Sequence, residues 1–517
     1  MSSLFPPIEN HHDNAGIEDN LFEFNLLALF ACKLDELSDS DPGNISWKLS
    51  AIQNSCKDNE LRKYMKPWLE SPGTIHPGPI LSYFRERENE AVEARKRTNR
   101  VRSILERIVR HGVYDSRVRV GLKKLCTDLK LNFFLDIAPY ESFLAQEWLS
   151  LPPKTDDKDQ AYRVQQTDNW SWSRIAKVTG AAAVGGTLMA VTAGAIAPFI
   201  APVAATLFAT TTAVGVGVVT GLFGVAGAGL TAYKMADRTK KSLNEFFFLK
   251  VTDETEDSKC APSLHLAIGV SGTIKDDDLY HMKDFWAEAV NINDHTIMNV
   301  GYSETYFLVF DRDVLLRYSI TMLEMLEDHV LSYATKEVLS QVVGHAIIAA
   351  ASLPLSILNA SSLINNSFVV CEARAEAAGK ELAYALRSAR QGARPVSLFG
   401  FSFGAFAIFY ALEQLAKDSA FGIIEDVLLA GVPLRITRKR WINARRIVAG
   451  KFINAYCPDD WSLKLAMEFS SSMERVAGVR ALEIEGIEDV EIDANHVRIG
   501  YDGGKTMKEL IKMTLKN

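Results

Sequence analysis

Gly400-Phe401-Ser402-Phe403-Gly404 places a serine between two glycines, after the short apolar run Val396 to Phe399 and before an apolar helical pattern reaching Leu412. A G-x-S-x-G segment between a strand and a helix lifts the serine hydroxyl onto a tight turn, the position of a nucleophile for acyl transfer. Gly400 and Gly404 leave room for strand and helix to press together. The N–H of Phe403, at the start of the helix, points at a developing oxyanion. Such a serine needs a base, and the base needs an orienting acid. Where an elbow of this kind works, acid and then base follow on loops after later strands. His496 is the only histidine after Ser402, so a triad here has His496 as its base. Asp460 is the first choice of acid, Asp459 the reserve and Asp493 the third. Asp459-Asp460 also suits the N-cap of a helix starting at Trp461. A second oxyanion donor is expected from the Val270-Ser-Gly-Thr-Ile loop, from the N–H of Gly272 or Thr273.

These positions require a particular frame. From 242 to 517 the chain alternates strand and helix patterns, which predicts an α/β domain with a mostly parallel sheet and helices on both faces. Predicted strands are Glu245 to Val251, Leu264 to Ser271, His295 to Val300, Val396 to Phe399, Glu425 to Pro433, Val448 to Tyr456 and Arg480 to Gly486. Predicted helices are Asp276 to Val290, Asp313 to His329 and Ala373 to Arg390, with a further apolar helix over Val338 to Leu363 that His345 and Pro354 interrupt. No metal constellation, Walker motif or dinucleotide fingerprint appears, and no cofactor is expected.

Ahead of this domain lie a polar tail (1–20), a helical region (21–150) and a polar linker (151–169). Tyr83 to Arg110 is densely charged with a thin apolar seam at Val92, Val101, Ile104, Leu105 and Ile108, the pattern of an exposed helix or short coiled coil. Across 170–241 the composition changes. From Val178 to Tyr233, about 56 residues, no side chain is charged, enough for two spanning helices and a turn. Pro198 and Pro202 sit where a hairpin reverses, and Gly217 and Gly221 have the spacing that lets helices pack closely in lipid. Basic residues flank both ends (Arg174 and Lys177; Lys234, Arg238, Lys240 and Lys241). That arrangement predicts a transmembrane hairpin in an intracellular membrane, with the N- and C-terminal regions cytosolic. A pair of Gly/Ala-rich helices buried in a soluble fold is the competing reading.

The net charge of −7 offers no field attractive to nucleic acid, and no basic stripe with interleaved aromatics is evident. The six cysteines are scattered without C-x-x-C, as reduced structural thiols in a cytosol-facing protein would be. No basic start and long apolar core opens the chain, so a cleaved secretory signal is not expected.

The block Gly221-Leu-Phe-Gly-Val-Ala-Gly-Ala-Gly-Leu-Thr-Ala-Tyr-Lys-Met-Ala-Asp-Arg-Thr, leading to Glu245-Phe-Phe-Phe, resembles the transmembrane and coiled-coil domain protein family, also filed as a domain of unknown function. The likeness continues through Gly400-Phe-Ser-Phe-Gly-Ala, Leu429-Ala-Gly-Val-Pro and Val448-Ala-Gly-Lys-Phe-Ile-Asn-Ala-Tyr with Asp460-Trp461, covering about 170–500. The resemblance implies an α/β-hydrolase-like domain with a membrane-embedded hairpin, Ser402 as nucleophile, Asp460 as acid and His496 as base. Phe406 departs from the basic residue expected at its position in relatives, and Ser271-Gly272-Thr273 lacks the tryptophan expected after the glycine.

The leading expectation is a membrane-anchored serine hydrolase acting on an ester, with the bilayer and a lipid-like ester as partners. The alternative is a catalytically silent hydrolase fold acting as a membrane adaptor or trafficking protein, with the N-terminal helices binding a protein partner. A pore built on the Gly-rich hairpin lacks charged lining residues and ranks last.

Overall fold

The computed structural model describes residues 14–37, 46–57, 76–86, 91–149, 230, 242–251, 263–274, 276–290, 293–294, 297–298, 303–330, 355–388, 392–460, 476–492 and 504–515, with 59, 61–63, 65 and 463. The predicted hairpin at 170–241, apart from the buried Leu230, and the base His496 lie outside them. Among the described residues no helix is long and apolar enough to cross a membrane.

The chain divides into two compact units, 1–108 with 121–133 and 109–120 with 134–517. Part of the region read as N-terminal helices therefore belongs with the sheet. The helices are α1 (Asn14–Asp35), α2 (Ser46–Ser55), α3 (Pro77–Arg85), α4 (Ala91–Val109), α5 (Ser116–Asp128) and α6 (Ala138–Leu149), the last entered through a π-helical turn at Phe133–Ile137. Helix α1 begins inside the segment read as a tail. In the first unit, Phe22, Leu26, Leu29 and Phe30 of α1 are buried, as are Val101, Ile104 and Leu105 of α4. The thin apolar seam read in the charged stretch is thus the buried stripe of an amphipathic helix. Arg97, also buried, donates to the carbonyls of Phe84 (2.8 Å) and Leu129 (3.3 Å), supplying acceptors for a charge taken out of water.

The second unit is built on seven strands in the order β1-β5-β2-β6-β7-β8-β9. They are β1 (Phe246–Lys250), β2 (Leu266–Val270), β5 (Glu304–Phe310), β6 (Val396–Phe401), β7 (Ile424–Ala430), β8 (Phe452–Tyr456) and β9 (Glu488–Glu491), while β3 (Asn293–Asp294) and β4 (Ile297–Met298) form a small separate hairpin. Within the seven-stranded sheet only β1 runs antiparallel to its neighbour; the other pairs are parallel. Strands β2, β6 and β7 are buried along their whole length; β2 accordingly reads as an unbroken apolar run rather than an alternating one, whereas β7 buries Glu425 and Asp426 at its start. The connecting helices are α7 (Leu279–Val290), α8 (Arg312–Val330), α9 (Leu355–Arg387), α10 (Phe403–Lys417), α11 (Arg438–Arg446) and α12 (Gly504–Leu515). Helices α8, α9, α10 and α11 pack in series, α7 packs against α12, and the sheet is covered on both faces.

Three predicted elements are corrected. Strand β5 was not anticipated, although it lies between β1 and β2; its Tyr-Phe-Leu-Val-Phe run sits close to the start of α8, where the two periodicities merge. The last strand is Glu488–Glu491 and not Arg480 to Gly486. The Asp489 carboxylate accepts the N–H groups of Leu482 (3.0 Å) and Glu483 (2.9 Å), a local alternative that takes those donors from any ladder. Helix α9 begins at Leu355, directly after Pro354, and continues without a break through the segment predicted to start at Ala373.

Candidate active site

Because β2, β6, β7, β8 and β9 run the same way, the loops that leave them emerge at one edge of the sheet. Ser402 follows β6, Gly272 follows β2, Cys457 to Asp460 follow β8, and His496 comes four residues after Ile492, beyond the described residues. Register sharpens this. Val270 pairs with Gly400, so two residues further on Gly272 and Ser402 stand level.

Ser402 has φ 52° and ψ −128°, a conformation that costs a non-glycine residue about 1–3 kcal/mol. It is held there from several sides. Its N–H donates to the carbonyl of Ala430 (2.9 Å), and its carbonyl accepts from Phe406 N–H (3.1 Å), the first turn of α10. A Cβ on Gly404 would lie 2.0 Å from the carbonyl oxygen of Val270, and one on Gly400 would meet Ile408 Cδ1 at 2.6 Å. Strand, turn and helix therefore approach as closely as the two glycines of the motif allow. The turn caps α10 without a side-chain hydrogen bond, although serine is a good N-cap residue. The hydroxyl is thus left out of the usual structural role of a serine at this position.

Gly272 approaches almost as closely as Gly404. A Cβ there would fall 2.1 Å from the Phe403 nitrogen and 2.2 Å from that of Gly404. The 271–273 loop is thereby pressed against the N-terminal turn of α10, where unpaired backbone N–H groups collect. Trp286 Nε1 donates to Ser271 Oγ (3.0 Å), and Ser319 Oγ accepts the Ile274 N–H (3.3 Å), fixing the loop from α7 and α8. Thr273 lies on the same loop.

Asp460 is 8% exposed, and its Oδ1 accepts the Leu463 N–H (2.9 Å). The helix expected to start at Trp461 lies outside the described residues apart from Leu463. Strand β8 stands two places from β6, about 10 Å across the sheet. Tyr318 of α8 links the two regions. Its ring meets Phe403 edge-on at 5.1 Å, and burial, with the nearby Cys371 and Asp460, raises its phenol well above the ordinary range. Burial also pushes the Cys371 thiol up to about 12, so it is an inert neighbour and not a second nucleophile.

The phenylalanines around the elbow are packed. Phe399, Phe401, Phe403 and Phe406 are each no more than 2% exposed. Phe401 meets Phe285 at 5.1 Å, and Phe403 meets Phe368 at 5.2 Å. They form the floor under Ser402. A cavity of about 740 Å³ opens beside the loop after β8, lined by Arg438, Tyr456, Pro458, Arg480, Leu482 and Glu491 among others. Tyr318 and this cavity were not read from the sequence: Tyr318 sits in an ordinary helical pattern, and the cavity is assembled from three separate loops.

Among the described residues no group of histidine, cysteine and carboxylate side chains is arranged to hold a metal ion.

The model of the family described as protein of unknown function DUF726 matches residues 171–514. A transmembrane and coiled-coil domain-containing protein, STS1, of Oryza sativa subsp. japonica is 31% identical over 402 residues, covering 73% of this chain and 58% of its own. An uncharacterized membrane protein of Caenorhabditis elegans is 29% identical over 493 residues, 93% of this chain and 77% of its own. The probable lipase MIL1 of Saccharomyces cerevisiae is 32% identical over 189 residues, 36% of this chain and 18% of its own. No solved structure matches the chain.

Proposed function

The chain belongs to the DUF726 family of proteins of unknown function, and from that premise we propose that it is a membrane-associated serine hydrolase that cleaves an ester, with Ser402 as the nucleophile. The observation that carries this reading is the strained backbone of Ser402, at the junction of β6 and α10, with Gly272 pressed against the same turn. Strain of this kind persists where surrounding structure over-determines it, as it does at a nucleophile elbow. The strand order, with its one antiparallel edge strand, also suits an α/β-hydrolase sheet.

In this mechanism Ser402 Oγ attacks the acyl carbon while His496 takes its proton. The N–H of Phe403 and that of Gly272 or Thr273 stabilise the charge on the former carbonyl oxygen. Collapse expels the alcohol, which receives the proton from His496. Water then attacks the acyl-serine by the same route and releases the acid. Asp460 orients the imidazole of His496. The reaction needs no cofactor.

A lipid ester is the favoured substrate, supported by the membrane names of the relatives and by the yeast relative named a probable lipase. The hairpin at 170–241, with its uncharged run from Val178 to Tyr233, would hold the active edge near a bilayer, with both ends of the chain on the cytosolic side. A second reading, a silent hydrolase fold serving as a membrane adaptor, is favoured by two observations. Asp460 Oδ1 is engaged by the Leu463 N–H, and the N-terminal helices form a compact unit suited to a protein partner.

The test is labelling of the full chain in detergent with a fluorophosphonate probe, beside Ser402→Ala and His496→Ala. The hydrolase reading expects wild-type labelling that is absent in Ser402→Ala and reduced at least a hundredfold in His496→Ala. An unlabelled, folded wild type would leave the adaptor reading.

A further inference from the structure

Helix α11 carries Arg438, Lys439, Arg440, Arg445 and Arg446, and no acid, in a chain whose net charge is −7. Its inner face is used for packing. Trp441 and Ala444 are fully buried, and the Trp441 ring lies 4.5 Å from Phe409 of the elbow helix and 6.0 Å from Phe452 of β8. Two of the five cations are also accounted for. Arg440 pairs with Glu413 (2.6 Å) and lies over the rings of Phe409 and Tyr410. Arg445 donates to the carbonyls of Val448 and Gly450 and is buried enough that its pKa is lowered.

The remaining three, Arg438, Lys439 and Arg446, are exposed, and Ile442 stands among them 41% exposed. Positions 438/439, 442 and 446 recur at three- and four-residue spacing, so they form one outward stripe. Arg438 donates to the Glu483 carbonyl (3.2 Å), which leaves its charge uncompensated. No described residue forms an ion pair with any of the three. The exposed acids of the adjoining loop, Glu483 and Glu485, soften the field without cancelling it. The stripe starts at the edge of the sheet from which Ser402 emerges, because α11 is the connection leaving β7.

We infer that the outer face of α11 docks on the anionic headgroups of a bilayer, with Arg438, Lys439 and Arg446 facing phosphate and carboxylate and Ile442 entering the headgroup boundary. An apolar residue among cations distinguishes this surface from one built for a polynucleotide backbone, against which Ile442 gains nothing. The inference does not depend on serine chemistry. It adds a contact separate from the hairpin, one that would fix the orientation of the Ser402 edge at the membrane.

The test places an environment-sensitive fluorophore on Asn443→Cys, exposed on the same helix, in the full chain reconstituted into vesicles. Identically treated wild type supplies the background. Neutral phosphatidylcholine vesicles are compared with vesicles containing one-fifth phosphatidylserine. Docking expects a blue-shifted emission, quenched by brominated acyl chains, on the anionic vesicles alone at 0.1 M salt and lost at 0.5 M. Each exposed cation contributes roughly fivefold, so Arg438→Gln, Lys439→Gln and Arg446→Gln together reduce the docked-to-undocked ratio about a hundredfold. Because the readout is local, a hairpin that anchors the protein to both kinds of vesicle does not obscure it. An equal signal on neutral vesicles, or a triple variant that keeps the signal, would overturn the inference. A blue shift produced by polyuridylate without vesicles would overturn it in favour of nucleic acid. Fluorophosphonate labelling of the same samples reports the hydrolase reading separately.

Discussion

Ser402 adopts a backbone conformation that glycine enters freely and other residues enter at a cost. Its neighbours impose that conformation: the Ala430 carbonyl from β7, the first turn of α10, and the close approach of Gly272 and Gly404. If the strain is retained for chemistry, relieving it trades activity for stability. Ser402→Gly is expected to unfold about 1 kcal/mol later in urea than Ser402→Ala, since both lose the hydroxyl and only glycine loses the strain. Equal stability of the two variants would mean that the turn is relaxed. Asp460 teaches a different lesson at this scale. One of its oxygens accepts the Leu463 N–H, a bond that serves a structural residue as well as an orienting acid. Fluorophosphonate labelling of Asp460→Asn decides between them: an orienting acid expects labelling to fall by about tenfold or more, a purely structural one expects it unchanged in a folded variant.

At the scale of elements, the opposite end of the sheet is tied to the segment before the linker by a buried ionic cluster. Arg119 of α5 donates to Glu141 of α6 (2.8 Å) and to Glu425 of β7 (2.6 Å), and Tyr114 Oη donates to Glu141 (2.7 Å). Both carboxylates are fully buried. Backbone bonds from Tyr114 to Ala393 and from Ser116 to Gly422, each 2.8 Å, run beside them. Burial works against the charge on Arg119, but the two carboxylates more than offset it and raise its pKa. Replacing Arg119 with methionine leaves two carboxylates in a dry site without their cation. The expected loss is about 3–5 kcal/mol in urea unfolding, with a second, smaller loss on Glu141→Gln. A loss below about 1 kcal/mol would show that the cluster is hydrated. Its near absence from the sequence reading has a simple cause: Arg119 and Glu425 are 306 residues apart, and nothing local marks either as buried.

For the whole molecule, acid stability offers a check on how the sheet is held. Burial by itself raises the Glu304 carboxyl, but the charges of Arg394 and Lys250 and hydrogen bonds from Tyr306 and Arg394 outweigh it. Its pKa lies below the ordinary 4.5. A carboxylate with a depressed folded pKa contributes stability that is present above its unfolded value and lost as pH falls through the folded one. The contribution of Glu304 is therefore complete above about pH 5 and is lost progressively as the pH falls from there through the lowered folded pKa. Glu304→Gln is expected to be less stable than wild type at pH 7, with the difference shrinking as the pH drops toward 3, measured by urea midpoints. A difference that does not change with pH would assign the loss to packing. The charge balance of the chain has a similar logic. The total of −7 correctly describes the average field, yet it concealed a nine-residue helix with five cations, because a sum over the chain carries no position.

Local sequence determined the elements whose signal is local. The strand–turn–helix at Ser402 was legible, since the strand run, the two glycines and the following helix are consecutive. The buried strands β2, β6 and β7 were legible because a strand covered on both faces is largely apolar, as at Leu266 to Val270 and Val427 to Ala430. Gly272 is read from the sequence as allowing close approach to a substrate; the approach the structure shows is to the backbone of Phe403 and Gly404. Tertiary structure alone decided the rest. It inserted β5 between β1 and β2, moved the last strand to Glu488–Glu491 where the Asp489 carboxylate had taken the donors of the earlier candidate, and brought Tyr318 against Phe403. It also selected which cations of α11 pack and which face outward. Each of these depends on pairing between residues far apart in the chain, and a periodicity read along one segment contains no term for the partner it will meet.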